Sequence, residues 1–349
     1  MSLISRIKDA SQAPAIVAEL SGNHHQNFDT AKRLIELAAK NGADAIKLQT
    51  YTADTLTLPS NAPEFIVRGG LWDGRNLHEL YQEAATPYEW HAPLAKIASE
   101  LGLPLFSTPF DESAVDFLEA EIDPALYKIS SFELTHIPLL ERVARTGKSV
   151  IMSTGMANES EIEEAVSVLR EHGSGELVLL KCVNEYPASP DGFNLHSMRT
   201  LASRFECIVG LSDHTLSNEV ALAATALGAR LIEKHFTDER SAGGIDAGFS
   251  MEPADLKRLV EQVKIVHSCL GSDEILDSPK DIAQRQFRRS IYVSKDIVQG
   301  DTLTRENLKI VRPSFGLAPR EWNQVLGKVA SHDLRAYSPL RIDDWGNAL

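Results

Sequence analysis

The chain has 349 residues, 43% hydrophobic and 24% charged, a balance that suits a globular protein of about two domains. Its net charge of −14 argues against nucleic acid or an anionic membrane as the main partner, because both need clustered Lys and Arg. No apolar run nears the ~20 residues of a membrane span, Met1 to Ala13 lacks the apolar core of a secretory signal, and three cysteines without CxxC spacing fit a reducing cytosol, so the expected localisation is cytoplasmic.

From the N-terminus, eight apolar, β-branched runs read as strands: Ala15–Glu19, Ala45–Gln49, Leu103–Ser107, Leu126–Ser130, Ser149–Ser153, Leu177–Cys182, Cys207–Gly210 and Arg230–Glu233. Helical patterns separate them. Asn27 precedes the stripe Ala31, Leu34, Ile35, Leu37, Ala38. Asn158 with Glu161 forms a capping-box signature. Glu252-Pro253 opens the last helix, with Pro in its first turn. Eight β/α units predict an α/β fold, a (β/α)8 TIM barrel over residues 1–270. The rival, an open doubly wound sheet, lacks its GxGxxG signature here. The stretch from Pro59 to Pro87 is long for a βα loop, and an insertion of that length at the active face is expected to help form the site. A solvated excursion is the plain alternative. After Leu270 the texture changes. Residues 271–286 read as a linker, and 287–349 as a small, turn-rich, mostly β domain.

The residues that end these strands are polar almost without exception: Glu19, Lys47, Thr108, Lys128, Ser131, Ser153, Asn184, Ser212 and His214, Glu233 and His235. In a barrel the carboxyl ends of the strands converge on the active site. Packing does not account for so many, since burying each one unpaired costs about 1–3 kcal/mol. His214 and His235 lie 21 residues apart, one strand-helix repeat, each just after an apolar run. Two imidazoles on neighbouring strand ends suit one divalent metal with open positions, which points to chemistry rather than structure. The plain alternative is two core histidines. It is weakened by Asp213 and Glu233 beside them, which are available as ligands or orienting partners. Lys47 and Lys128 sit in apolar strands, where a lysine otherwise reaches to the rim or pairs with a carboxylate. With Thr108, Ser131, Ser153 and Ser212 they read as a cradle for phosphate and carboxylate. A Schiff-base aldolase using one of these lysines is also consistent.

Several motifs recur together: Ala18-Glu-Leu-Ser-Gly-Asn-His24, Gly42-Ala-Asp-Ala-Ile-Lys-Leu-Gln-Thr-Tyr51, Phe106-Ser-Thr-Pro-Phe110, Tyr127-Lys-Ile-Ser-Ser-Phe-Glu133, Ser153-Thr-Gly155, Gly210-Leu-Ser-Asp-His214 and Glu233-Lys-His-Phe236. In this order they resemble the sialic acid (nonulosonic acid) synthase family over nearly the whole chain. Arg289-Ser-Ile, Lys295-Asp-Ile and Arg312-Pro resemble that family's antifreeze-like (SAF) domain. The resemblance implies condensation of phosphoenolpyruvate with an open-chain amino sugar and release of phosphate. Tyr51 to Leu58, Gly69 to Asp73, Thr86 to Trp90 and Arg312 to Leu317 resemble the pseudaminic acid branch, whose sugar is 2,4-diacetamido-2,4,6-trideoxy-altrose. Asn184 and the Ser21-Gly22-Asn23-His24-His25 stretch depart from that pattern, so N-acetylneuraminate and legionaminate synthesis stay as alternatives. A metal- or lysine-dependent aldolase and a catalytically silent sugar-binding protein are more distant ones.

By the same resemblance, Lys47, Thr108, Lys128, Ser131, Ser153, Asn184 and Ser212 are the phosphoenolpyruvate site, and His214 and His235 hold the metal. The ion expected first is Mn2+, with Mg2+ or Co2+ as alternatives. Glu19 is the candidate for proton transfer or water orientation, completing a catalytic set with Lys47, Lys128 and the two histidines. Glu133, Tyr186, Glu233, Asp246 and Arg312 are expected to orient the sugar. The matching arginine of the family reaches a neighbouring subunit's site, which implies a domain-swapped homodimer.

Overall fold

Eight of the apolar runs become parallel strands in the computed structural model, which describes residues 2–272, 274–275 and 278–346. Positions 1, 273, 276, 277 and 347–349, parts of the expected barrel, linker and tail domain, lie outside the described residues. The strands are β1 (Ala15–Glu19), β2 (Ala45–Thr50), β3 (Leu105–Pro109), β4 (Leu126–Ile129), β5 (Ser149–Ser153), β6 (Leu177–Cys182), β7 (Ile208–Asp213) and β8 (Leu231–His235). Each pairs with the next and β8 pairs with β1, closing the TIM-type barrel.

Alternation along these strands divides the core in two. Outward residues such as Ile16, Ile46, Leu48, Ile129, Met152, Leu179, Leu211 and Ile232 meet the apolar stripes of the helices. Inward residues Ala15, Val17, Ala45, Phe106, Leu126, Ile151, Val178, Leu180 and Leu231 fill the lower barrel, which Leu3 and Ile7 close from below. Those two belong to a helix, Leu3–Lys8, that the polar N-terminal sequence did not suggest. The inward set changes character upward. Val17 is followed by Glu19, Ala45 by Lys47, Phe106 by Thr108, Leu126 by Lys128, Ile151 by Ser153 and Leu231 by Glu233.

Four strands run further than their apolar runs suggest: β2 to Thr50, β3 to Pro109, β7 to Asp213 and β8 to His235. Gly210 reads as a terminator, yet β7 continues to Asp213. A Cβ at Gly210 would lie 2.5 Å from the Leu231 carbonyl oxygen, so glycine serves here for close approach and not for a turn. β8 likewise extends to His235, paired with Glu19 of β1. The caps read from the sequence are formed: Asn27 accepts from Thr30 N, and Asn158 and Glu161 make the reciprocal box.

The insertion from Pro59 to Pro87 is more ordered than a loop. It holds a bridge between Ile66 and Asn76 and a helix, Leu77–Ala84, capped by Asn76.

The chain divides into two compact units, residues 1–271 and 272–349. In the second, helix Pro279–Gln284 is capped by Ser278. Strands β9 (Ser290–Val293) and β10 (Leu308–Val311) pair antiparallel, as do β11 (Val329–Ala330) and β12 (Trp345–Gly346). Ile291, Val293, Ile297, Leu303, Leu308, Val325, Leu334 and Leu340 form its separate core. Among the described residues no helix is long and apolar enough to cross a membrane.

Candidate active site

The upper, polar end of the barrel interior is a buried ion network. Lys47 Nζ lies 2.5 Å from Glu19 Oε2 and 3.8 Å from Glu233 Oε1, and donates to Thr108 Oγ1 at 3.2 Å. Lys128 Nζ donates to Glu233 Oε1 at 3.1 Å, and Ser212 Oγ donates to the same oxygen at 3.3 Å. All six side chains are buried. Burial pulls the Lys47 ammonium down, but Glu19 and Glu233 outweigh it and leave its pKa raised. Burial likewise raises Glu233, yet Lys128 and Lys47 overcome it and hold the carboxylate ionised. Two ammoniums and two carboxylates thus offset one another in a site that would not tolerate one of them alone.

His214 and His235 stand beside this network with ring centroids 5.3 Å apart. Each uses Nδ1 elsewhere. His214 Nδ1 donates to the Val183 carbonyl at 2.8 Å, an acceptor that fixes the proton on Nδ1. His235 Nδ1 lies 2.8 Å from Ser21 Oγ. Ser21 Oγ donates its hydrogen to Glu19 Oε1 at 2.9 Å, so it accepts from His235. Both rings therefore carry their free lone pair on Nε2. Burial pushes the His214 pKa down to about 4. Burial, then His214 and the nearby lysines, drive His235 well below its ordinary value. Two neutral imidazoles with free Nε2 atoms suit a divalent ion. Among the described residues, no group of three or more His, Cys, Asp or Glu is arranged to hold a metal. An ion held by the two imidazoles would take its remaining ligands from water or substrate oxygen.

The remaining candidates are distributed around the mouth. Ser131 Oγ accepts from Gly155 N at 3.0 Å, and Asn184 Nδ2 donates to Tyr186 Oη at 3.2 Å. Ser153 Oγ is buried with no hydrogen-bond partner among the described residues. The Tyr186 ring lies 4.5 Å from that of His214 and 5.0 Å from Phe249. Asp246 Oδ2 is 3.8 Å from His235 Nδ1. Burial, with Glu19 nearby, raises the Asp246 carboxyl to about 6. Glu133, on the turn after β4, accepts from Ser130 Oγ, and burial raises it to about 7. The insertion contributes Trp72, whose Nε1 donates to the Ile245 carbonyl at 2.9 Å and whose ring lies 5.5 Å from Tyr186. Arg312 belongs to the second unit, exposed just beyond β10.

Ser21, Gln49 and Phe249 were not among the sequence candidates. Gln49 Nε2 donates to Glu19 Oε1 at 3.0 Å and to Ser21 Oγ at 3.2 Å. The signal for Gln49 was present, since it is two residues beyond Lys47 on the same strand face. His24, close after β1, turns away instead. Its ring packs 5.4 Å from Trp90, and burial lowers its pKa to about 4.

Known proteins share this arrangement of sequence and fold. The NeuB family model matches residues 34–275, and the SAF domain model matches residues 288–344. A pseudaminic acid synthase of Helicobacter pylori is 44% identical over 95% of this chain and 98% of its own length. An N,N'-diacetyllegionaminic acid synthase of Legionella pneumophila is 36% identical over 95% of both chains. The crystal structure of an N-acetylneuraminic acid synthetase from Leptospira borgpetersenii superposes with a TM-score of 0.70 at 32% identity, covering 78% of this chain and 90% of that one. A barrel whose mouth joins paired lysines to paired imidazoles, followed by a matched SAF domain, leaves one assignment: the chain belongs to the NeuB family.

Proposed function

We propose that the chain is a pseudaminic acid synthase: it condenses phosphoenolpyruvate and water with open-chain 2,4-diacetamido-2,4,6-trideoxy-altrose, giving pseudaminic acid and phosphate. The observation that carries the reaction type is the pairing of two buried ammoniums, Lys47 and Lys128, with two imidazoles whose Nε2 atoms are free. The sugar rests on the higher identity to the H. pylori enzyme, 44% against 36% for the legionaminic acid synthase.

In this reading His214 and His235 hold a divalent ion, Mn2+ first. Bound there, the ion supplies Lewis-acid polarisation of the sugar's aldehyde oxygen. Lys47, Lys128, Thr108, Ser131, Ser153, Asn184 and Ser212 hold phosphate and carboxylate so that C3 of the enol phosphate faces the aldehyde carbon. As the C–C bond forms, positive charge develops at C2. Glu19 orients a water toward C2 and takes its proton. The tetrahedral carbon then expels phosphate by C–O cleavage as its new hydroxyl becomes the ketone, and the water's protons end on the aldehyde-derived hydroxyl and on phosphate. Tyr186, Glu133, Glu233 and Asp246 orient the sugar. Residues 1–270 carry the chemistry, 271–286 connect, and 287–349 supply Arg312 to a second subunit in a homodimer.

The deciding experiment incubates protein, Mn2+ and phosphoenolpyruvate with the altro-configured sugar, N-acetylmannosamine and the legionaminic acid precursor in parallel. Phosphate release with the product mass, at highest kcat/KM for the altro sugar, is expected. Preference for another sugar moves the chain to that branch. No phosphate with any sugar overturns the synthase reading, and turnover of free pyruvate would favour an aldolase. For the dimer, Arg312→Ala and His235→Ala proteins are mixed under exchange conditions. Activity should return, and its absence overturns the shared site.

A further inference from the structure

Lys234 is the one residue of β8 whose chemistry is out of place. Its neighbours Glu233 and His235 face the barrel interior, so Lys234 faces outward, into the shell that Ile232 and Leu211 fill with apolar side chains. It is buried all the same, at 1% exposure. An ammonium in that shell costs several kcal/mol unless it is fully paired, and an apolar residue would serve packing better.

All three of its N–H donors are used. Nζ donates to Asp213 Oδ2 at 2.7 Å, to the Thr215 carbonyl at 2.7 Å and to the Ser217 carbonyl at 3.1 Å. Asp213 is also its register partner across the β7–β8 pairing. The other Asp213 oxygen accepts from Thr215 N at 2.9 Å, and Thr215 Oγ1 donates to the Ser217 carbonyl at 3.0 Å. The acceptors therefore bracket His214 on both sides, while the donor's own backbone leads directly into His235. One side chain ties together the two backbone segments that carry the imidazoles.

We infer that Lys234 is a positioning residue that sets the spacing of His214 and His235 for the metal. The inference rests on the two-histidine metal reading. It predicts that the ion is held less tightly when the tie is cut, even with both imidazoles present. Loss of a partner that orients metal ligands costs about 10–100-fold in affinity.

The test titrates metal-stripped protein with Mn2+, followed by the electron paramagnetic resonance of the free ion. Lys234→Met is expected to bind Mn2+ about 10–100-fold more weakly, with phosphoenolpyruvate affinity in metal-free buffer unchanged, because Lys47 and Lys128 keep their partners. Mn2+ binding within threefold of the native protein overturns the inference, as does equal weakening of both ligands. Lys234→Met/Asp213→Leu removes the charge left behind and tests whether stability alone is at work. Weak Mn2+ binding in this folded double variant supports the tie, and this variant decides the matter if the single one fails to fold. Native-like Mn2+ binding in it overturns the inference. His235→Ala separates the two levels of argument: if it binds Mn2+ as the native protein does, the metal reading falls and this inference with it.

Discussion

Ser21 Oγ accepts a hydrogen bond from His235 Nδ1 at 2.8 Å while giving its own hydrogen to Glu19 Oε1 at 2.9 Å. A single hydroxyl thus joins the candidate proton-transfer carboxylate to one candidate metal ligand and decides that ligand's tautomer. Ser21→Ala removes the acceptor and frees the imidazole to rotate or move its proton to Nε2. We expect Mn2+ affinity to fall about 10-fold or more, with Ser21→Thr recovering most of it. Calorimetric titration of metal-stripped protein measures both. An unchanged affinity in Ser21→Ala would show that Ser21 does not orient the ring.

Lys47 contacts both Glu19 and Glu233, whereas Lys128 contacts Glu233 among the carboxylates. Replacing Lys47 by Met leaves Glu19 buried without its cation, and breaking such a pair costs about 3–5 kcal/mol of stability. Lys47→Met should therefore unfold at clearly lower denaturant concentration. Lys47→Met/Glu19→Gln should regain most of that loss without regaining activity. Denaturant midpoints and phosphate release, measured on the same preparations, check both halves. Equal stability of Lys47→Met and native protein would mean that the pair contributes nothing to the fold.

Much of this site was readable because a barrel strand repeats every two residues. Once Ala45–Gln49 is taken as a strand, Lys47 must share a face with Ala45 and Gln49, and the same step joins Glu233 to His235. The strands Ala15–Glu19, Ser149–Ser153 and Leu177–Cys182 have the ends that their apolar runs indicate. What escaped depends on partners distant in sequence. Gly210 sits inside β7, where Leu231 and Leu180 leave no room for a Cβ, which no local pattern records. Ser21 lies in a turn, and its meaning comes from His235, 214 residues away. The helix Leu77–Ala84 was obscured by the glycines and prolines of the same insertion, although Asn76 marks its start. In the sequence Lys234 is one more charge beside His235. Only the outward face of β8 distinguishes it from Glu233.

Gly155 is held to its size by Asn184 and Ser131, two residues of the proposed phosphoenolpyruvate cradle. A Cβ there would lie 1.8 Å from Asn184 Oδ1 and 2.9 Å from Ser131 Oγ. Gly155→Ala must displace the Asn184 side chain, which also donates to Tyr186 Oη. We expect KM for phosphoenolpyruvate to rise at least tenfold, since a misplaced substrate contact costs about 100-fold in the worst case. Mn2+ affinity should stay native, because the imidazoles are oriented by the Val183 carbonyl and Ser21 Oγ. Steady-state kinetics with a parallel Mn2+ titration distinguish this from general damage. A native KM would mean that Asn184 does not take part in holding the substrate.

Trp72 fastens the insertion over the mouth, donating to the Ile245 carbonyl next to Asp246. Its ring also meets Tyr186 and Phe249, which in turn flank the two imidazoles. Trp72→Phe keeps the ring contacts and loses the hydrogen bond, whereas Trp72→Ala loses both. KM for the sugar should rise in the order native, Phe, Ala, with KM for phosphoenolpyruvate nearly constant. If the two KM values rise together, the insertion shapes the whole mouth and not the sugar side.

Glu133 gives the protein a pH dependence that one substitution isolates. Burial raises its carboxyl from the ordinary 4.5 to about 7, against the lowering effect of the Ser130 hydroxyl. Between those values the folded chain keeps a proton that the unfolded chain has lost. Stability therefore falls as pH rises across the window, and the loss is complete above it. Glu133→Gln stays neutral throughout and keeps an acceptor for Ser130. Its Tm relative to native protein should increase steadily from pH 5 to pH 8 and level off beyond. Other raised carboxyls, such as Asp246, cancel in this difference because both proteins contain them. Thermal unfolding of both proteins at four or five pH values measures it. Parallel Tm curves would mean that Glu133 titrates as an ordinary solvated carboxylate, and a difference falling with pH would mean that it is held ionised in the fold.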